Sequence, residues 1–220
     1  MNLFINKLFT DPEEFCAITL IVIFSICCHE FSHAWMALKQ GDSTAADAGH
    51  LTLNPFKQMG IMSLVMLAFF CIAFGMVPVN PQRMRHRYSE ALVAFAGPAM
   101  NLILFFAFCL LTVITHSLRM QDVAVGLILY GAIINMVLFL FNMLPIPILD
   151  GWAVYKNVFP KISKTRFERS EFMKGTVVIA FIMIFMFSQY LFFAGAISAK
   201  YVTRLNKNDF VTLLKASGMF

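Results

Sequence analysis

The stretch CCHEFSHAW, residues 27–35, places two histidines and a glutamate inside the apolar run FCAITLIVIFSICCHEFSHAWMAL, residues 15–38. A run of that length and composition reads as a bilayer-spanning helix. At the centre of a bilayer each charged side chain costs roughly 2.5–3.5 kcal/mol on insertion scales. Three ionisable groups at 29, 30 and 33 therefore call for a function. His29, Glu30 and His33 fit H-E-x-x-H. On a helix, residues four apart differ by about 40° in direction, so both imidazoles face one point. Such a pair suits Zn²⁺, and the intervening glutamate can act as a general base on a water there. A bound cation also offsets the cost of the cluster, since structural zinc binding contributes on the order of 10 kcal/mol or more. The bland alternative is a metal-free polar cluster between packed helices.

The rest of the chain agrees with a membrane setting. Of 220 residues, 60% are hydrophobic and 13% charged. A soluble domain of this size cannot hide that much apolar surface, so the class is polytopic membrane protein. The 25 Phe and 15 Met are expected on lipid-facing and helix-packing surfaces. The net charge of +5 resides in loops, which set orientation rather than bind nucleic acid. Cys16, Cys27, Cys28, Cys71 and Cys109 sit in apolar runs without CxxC spacing, and are expected as buried thiols. The first apolar run carries the histidines, so it is not expected to be a cleaved signal.

Further apolar runs cover residues 61–78, 90–116, 123–144 and 174–197, and no internal repeat is evident. A catalytic zinc takes three protein ligands and keeps one open position. The other histidines, His50, His86 and His116, fall in loops or at span ends, and Asp150 is the better third ligand. It follows Pro145 and Pro147, which should break the helix, and precedes Gly151, which permits an unusual backbone angle. The alternative for Asp150 is a turn aspartate at the water interface.

HEFSH on one helix and NMLPIPILDG, residues 142–151, on a later one together resemble the site-2 protease family of intramembrane zinc metalloproteases. GDSTAADAGHLTLNP, VPVNP and AGPAMN also look like segments of that family, so the resemblance runs from about residue 15 to 152. One departure is visible: Met143, not proline, follows Asn142. No room is left for the PDZ or CBS domain that many relatives carry.

The resemblance implies hydrolysis of peptide bonds in or near membrane segments, with one zinc held by His29, His33 and Asp150 and with Glu30 as the base. It also places Asn101 near the site, where its amide is a candidate for stabilising the oxyanion or positioning substrate. The expected partners are a transmembrane protein substrate and the bilayer. An extended substrate can pair with an edge strand, and MVPVNP, residues 76–81, suits such an edge because proline is confined to edges. Val77, Val79 and Asn54 (in LTLN, residues 51–54) are the substrate-binding candidates. Two other classes compete. A metal transporter should show carboxylates and histidines along a path, and beyond Asp150 the spans hold almost none. An inactive scaffold often loses the base, yet Glu30 is intact.

Ligand geometry also sets the topology. If all five apolar runs crossed the bilayer, His33 and Asp150 would lie near opposite faces, too far apart to share zinc bonds of about 2 Å. Residues 61–78 are therefore expected to be re-entrant, and the resemblance implies a strand-containing, membrane-associated insertion there. The expected fold is all-α: about four full transmembrane helices plus a re-entrant, partly β segment. It forms one domain, with a catalytic core of about 15–152, a helix over 174–197 and a short tail. Most of the 17 Lys and Arg then share the side of the active-site end. The positive-inside rule points that end toward the cytoplasm of a bacterial-type cell membrane.

Overall fold

A computed structural model of the chain describes residues 4–70, 72–159 and 189–218. It opens with a short helix, α1 (Lys7–Thr10), followed by α2 (Pro12–Lys39). The start of α2 follows from local chemistry. The Asp11 side chain accepts from the Glu14 amide at 3.1 Å, and Pro12 fills the first turn, where no backbone donor is needed. Glu13 and Glu14 sit at the positive end of the helix dipole, and Lys39 at the negative end. Glu14 also pairs with Lys7. The 28 residues of α2 rise about 42 Å, more than the hydrocarbon core of about 30 Å.

Two other helices are long and apolar enough to cross a membrane: α6 (Ser89–Ser117) and α7 (Asp122–Asn142). The three spans meet the expected runs within a few residues. The last expected span, 174–197, lies outside the described residues up to 188. Residues 189–203 are helical (α9), and α10 (Lys207–Ala216) follows. Phe210 and Leu213 of α10 bury against Val125 and Leu129 of α7. Outward apolar side chains such as Leu20, Ile103 and Leu110 stay exposed, as lipid-facing positions should.

Contacts fix the directions of the spans. His29 meets Asn101, and His33 meets the Val93 carbonyl, so α2 and α6 are antiparallel. Asn101 meets Asn135, and Gly131 lies against the Phe108 ring, so α6 and α7 are antiparallel too. Hence α2 and α7 run parallel, as the shared zinc site requires.

Residues 40–88 begin and end as a cap at one end of this bundle, and in between the segment runs along α2 as far as residues 4–6. It contains α3 (Thr44–Asp47), α4 (Pro55–Gln58) and α5 (Gly60–Phe70). Helix α5 rises only about 16 Å, half of what a crossing needs. The chain then doubles back. The Ser63 hydroxyl donates to the Phe74 carbonyl at 2.6 Å and accepts from the Phe74 amide at 2.9 Å. Asp42 closes the excursion. It is fully buried, accepts from the Thr44 hydroxyl and amide, and takes the Asn80 amide at 2.5 Å. Burial opposes its charge, but these donors outweigh it and hold the carboxyl below the ordinary range. The Arg85 amide donates to the Gln40 carbonyl at 2.9 Å. The segment thus leaves and returns at the same end of α2.

The strand expected within 76–81 does not form: among the described residues there is no strand. A strand needs a ladder partner. Residues 72–80 have no regular secondary structure, and their backbone bonds to residues 40–70 are the Ile72 amide to the Met66 carbonyl at 3.4 Å and the Met76 amide to the Gln58 carbonyl at 3.2 Å. Of the five cysteines, Cys16, Cys27, Cys28 and Cys109 are free thiols, Cys16 being exposed; Cys71 lies outside the described residues.

Candidate metalloprotease site

Helix α2 delivers His29 and His33 from one face, four residues apart. Their rings meet edge to face, with Nε2 atoms 3.0 Å apart. Each ring is held by its other nitrogen. His33 Nδ1 lies 2.7 Å from the Val93 carbonyl and His29 Nδ1 lies 2.6 Å from Asn101 Oδ1. A carbonyl only accepts, so Nδ1 carries the hydrogen in His33 and Nε2 is left as a lone pair.

Asp150 arrives from the other side. Helix α7 stops at Asn142, and Met143, Leu144 and Pro145 lead out of it, Pro145 and Pro147 barring any continuation. Ile148 sits at φ 95°, an uncommon conformation for a β-branched residue. Such strain costs on the order of 1–3 kcal/mol and persists where the surroundings enforce it. It turns the chain into α8 (Asp150–Val158), whose first residue is the aspartate. The unusual angle expected of Gly151 thus belongs to Ile148. Gly151 is required for another reason: a Cβ there would overlap the Leu144 and Met143 carbonyls.

Asp150 Oδ2 stands 3.1 Å from His29 Nε2 and 3.3 Å from His33 Nε2. The three atoms form a triangle with edges of 3.0–3.3 Å. Ligands about 2.05 Å from a tetrahedral zinc are separated by about 3.3 Å, so the triangle matches three corners of a zinc tetrahedron. Asp150 Oδ2 is also buried without a hydrogen-bond partner. With both imidazoles neutral and their hydrogens on Nδ1, three acceptors converge here, and a bound cation would offset their repulsion. Among the described residues, His29, His33 and Asp150 are the group whose donor atoms converge closely enough for a metal ion.

The triangle lines a cavity of about 430 Å³, with Glu30 on the same wall. The returning segment, including Met76, Val77 and Val79, also lines it. Two glycines make the closeness possible. A Cβ on Gly97 of α6 would overlap Nε2 of both histidines, and one on Gly75 would overlap the Glu30 carboxylate. Neither role is announced by the sequence around these glycines. The only signals were a lone glycine in AGPAMN and another in AFGMVPV.

Other expected residues fall elsewhere. Asn54 is exposed, caps α4 through the Phe56 amide at 2.9 Å, and does not line the cavity. Asn101 is fully buried behind His29, with its Nδ2 donating to Asn135 at 3.1 Å. It is not a cavity wall either, which differs from the oxyanion or substrate-positioning role expected of it. Asn142 does line the cavity, whereas Asn135 is buried between helices.

Comparison with known proteins agrees with this geometry. The profile of peptidase family M50 matches residues 17–187. The chain belongs to peptidase family M50. This is the site-2 protease family, whose members are intramembrane zinc metalloproteases, and Zn²⁺ is the cofactor. YwhC of Bacillus subtilis, named as a candidate zinc metalloprotease, is 37% identical over 167 residues, covering 71% of this chain and 74% of its own. Rip2 of Mycolicibacterium smegmatis, similarly named, is 32% identical over 155 residues, covering 64% of this chain and 58% of its own. Rip2 of Mycobacterium tuberculosis is 31% identical over 157 residues, covering 65% and 59%. The chain therefore spans less than two thirds of the Rip2 proteins' length. No solved structure gives a significant match.

Proposed function

We propose that this M50 peptidase hydrolyses peptide bonds within or next to transmembrane segments of membrane proteins. The observation that carries the reading is the convergence of His29, His33 and Asp150 beside Glu30, in a cavity built from membrane-spanning helices. His29, His33 and Asp150 would hold the zinc, which when bound would supply Lewis acidity and make a water more acidic. Glu30 takes the proton from the attacking water and returns it to the leaving amine. Asn101 acts as a positioning residue for His29, because its acceptor is spent on the ring. A transporter would need polar groups continuing along a path. Beyond the site the cavity wall is mainly apolar, with Ile26, Leu138 and Phe141, and its polar side chains there, Asn142 and Glu90, are two groups rather than a continuing path.

A helical substrate must unwind before its carbonyl can be attacked. Residues 76–79 supply the partner: Val77 and Val79 line the cavity, and among the described residues no strand pairs with them, the Met76 amide alone being taken by the Gln58 carbonyl. The test is terminal-labelling proteomics of membranes from cells carrying the wild-type chain or Glu30→Gln. New chain ends inside or beside membrane spans should appear only with the wild type. Identical patterns from the two strains would defeat the reading.

The chain is best read as one membrane-embedded unit over 1–220, with its core at about 15–152 and four spans, the fourth within 174–197. Residues 61–78 dip into the bilayer and return, which the joining of Asp42 to Asn80 supports. The active-site end faces the cytoplasm of a bacterial cell membrane, in keeping with the basic residues on that side and the bacterial relatives. In a chain with its native cysteines replaced, single cysteines at Ser43 and Gln82 should both label with an impermeant reagent from the cytoplasmic side. Labelling from opposite sides would mean that residues 61–78 cross the membrane, and the topology would fail.

A further inference from the structure

The two histidines are fixed in different ways. His33 Nδ1 meets a backbone carbonyl, which accepts hydrogen bonds and cannot donate them. His29 Nδ1 meets the side-chain amide of Asn101, which has an accepting end and a donating end. Only the accepting end leaves His29 Nε2 as a lone pair aimed at Asp150. If the amide turned over, its NH₂ would face Nδ1, force the hydrogen onto Nε2 and place that hydrogen inside the ligand triangle. Something must choose the orientation.

The choice is made one helix away. Asn101 Nδ2 donates to Asn135 Oδ1 at 3.1 Å. Asn135 Nδ2 donates to the Gly131 carbonyl and to Ser25 Oγ, each at 2.9 Å. The Ser25 hydroxyl spends its own hydrogen on the Ile21 carbonyl at 2.8 Å, so toward Asn135 it only accepts. Both anchors of the Asn135 amide thus demand a donor. Its NH₂ must face them, and its oxygen must face Asn101. That oxygen in turn demands the NH₂ of Asn101, which turns the Asn101 oxygen onto His29. Ser25, Asn101 and Asn135 are all fully buried, so water does not compete for these bonds.

We propose that Asn135, anchored by Gly131 and Ser25, is a positioning residue that sets the orientation of the Asn101 amide and through it the tautomer of His29. The polarity of the relay originates in two backbone carbonyls, on α7 and α2, and ends at the metal-facing nitrogen. The inference rests on the zinc-site reading above. It predicts that Asn135, which touches no ligand of the site, governs zinc affinity through Asn101.

The experiment measures zinc affinity of the purified full chain in detergent, by competition with a chromophoric chelator. Melting of the zinc-free protein is followed alongside. Outer partners of metal ligands typically contribute 10–100-fold to affinity, so Asn135→Leu should weaken zinc binding by about tenfold or more. The same change is then made on an Asn101→Asp background. A carboxylate has no donating end, so it accepts from His29 Nδ1 in either orientation, needs no orienting partner, and only meets the Asn135 oxygen as a second acceptor that Asn135→Leu would remove. There, Asn135→Leu should cost less than about threefold, in keeping with loss of the outer-partner effect. Asn135→Thr provides a second variant should leucine not fold: its hydroxyl can bond back to the Gly131 carbonyl, and the partner of Asn101 is still lost. Equal losses on both backgrounds would show a merely structural role and overturn the proposal. No loss from Asn135→Leu or Asn135→Thr on the native background would do the same. A wild-type chain that binds no zinc would overturn the zinc-site reading itself, and this inference with it.

Discussion

Glu30→Gln should lower peptide hydrolysis by about 10²–10⁴-fold, the usual contribution of a positioned general base, while zinc content stays at the wild-type level. Glutamine keeps nearly the shape of glutamate but cannot take a proton. Glu30 is not among the converging donor atoms, so the metal group remains whole without its charge. Its carboxylate packs against Gly75, where a side-chain carbon does not fit. The amide is close enough in size to occupy the same space, so folding should be little changed. Turnover of a membrane-segment substrate, measured beside zinc content on the same preparation, checks both halves. A variant that still cuts at a comparable rate would leave Glu30 without its role. One that loses zinc would make it a ligand or structural group instead.

Gly97→Ala should be nearly as damaging, although it changes a single hydrogen to a methyl on a different helix. The new Cβ would overlap Nε2 of His29 and of His33. Neither ring can step aside freely, because Asn101 and the Val93 carbonyl hold the opposite nitrogens. Either α6 moves away or the imidazoles leave the ligand triangle. Overpacking costs typically about 1–3 kcal/mol, which a bundle of long helices can absorb. A displacement of about 1 Å at reacting groups can cost about 100-fold in rate. Activity and zinc affinity should therefore both fall by about that factor while the protein stays folded. Near-normal zinc binding by Gly97→Ala would mean that the rings and α6 are less closely packed than the structure has them.

These two glycines mark the limit of what the sequence discloses. HEFSH was legible because ionisable groups in an apolar run conflict with their surroundings, and helical periodicity brings 29 and 33 together. Asp150 was legible because two prolines must end a helix ahead of it. The parallel course of α2 and α7 followed from the ligands having to meet. Gly75 and Gly97 owe their importance to atoms that arrive from other helices, and nothing local announces this. Asn135 was visible as a polar residue in a span, but its bond to Asn101 is a property of three packed helices. Residues 76–81 read as an edge strand, since alternating valines and prolines suit an edge. A strand also requires a neighbour, which the described chain does not provide.

The central claim is that His29, His33 and Asp150 together hold one zinc ion. Elemental analysis of the purified full chain tests it most directly, comparing the wild type with His29→Ala, Asp150→Ala and the His29→Ala, His33→Ala double variant. The account predicts near-equal molar zinc in the wild type, a clear fall in each single variant, and almost none in the double variant. Full retention of zinc by the double variant would contradict it.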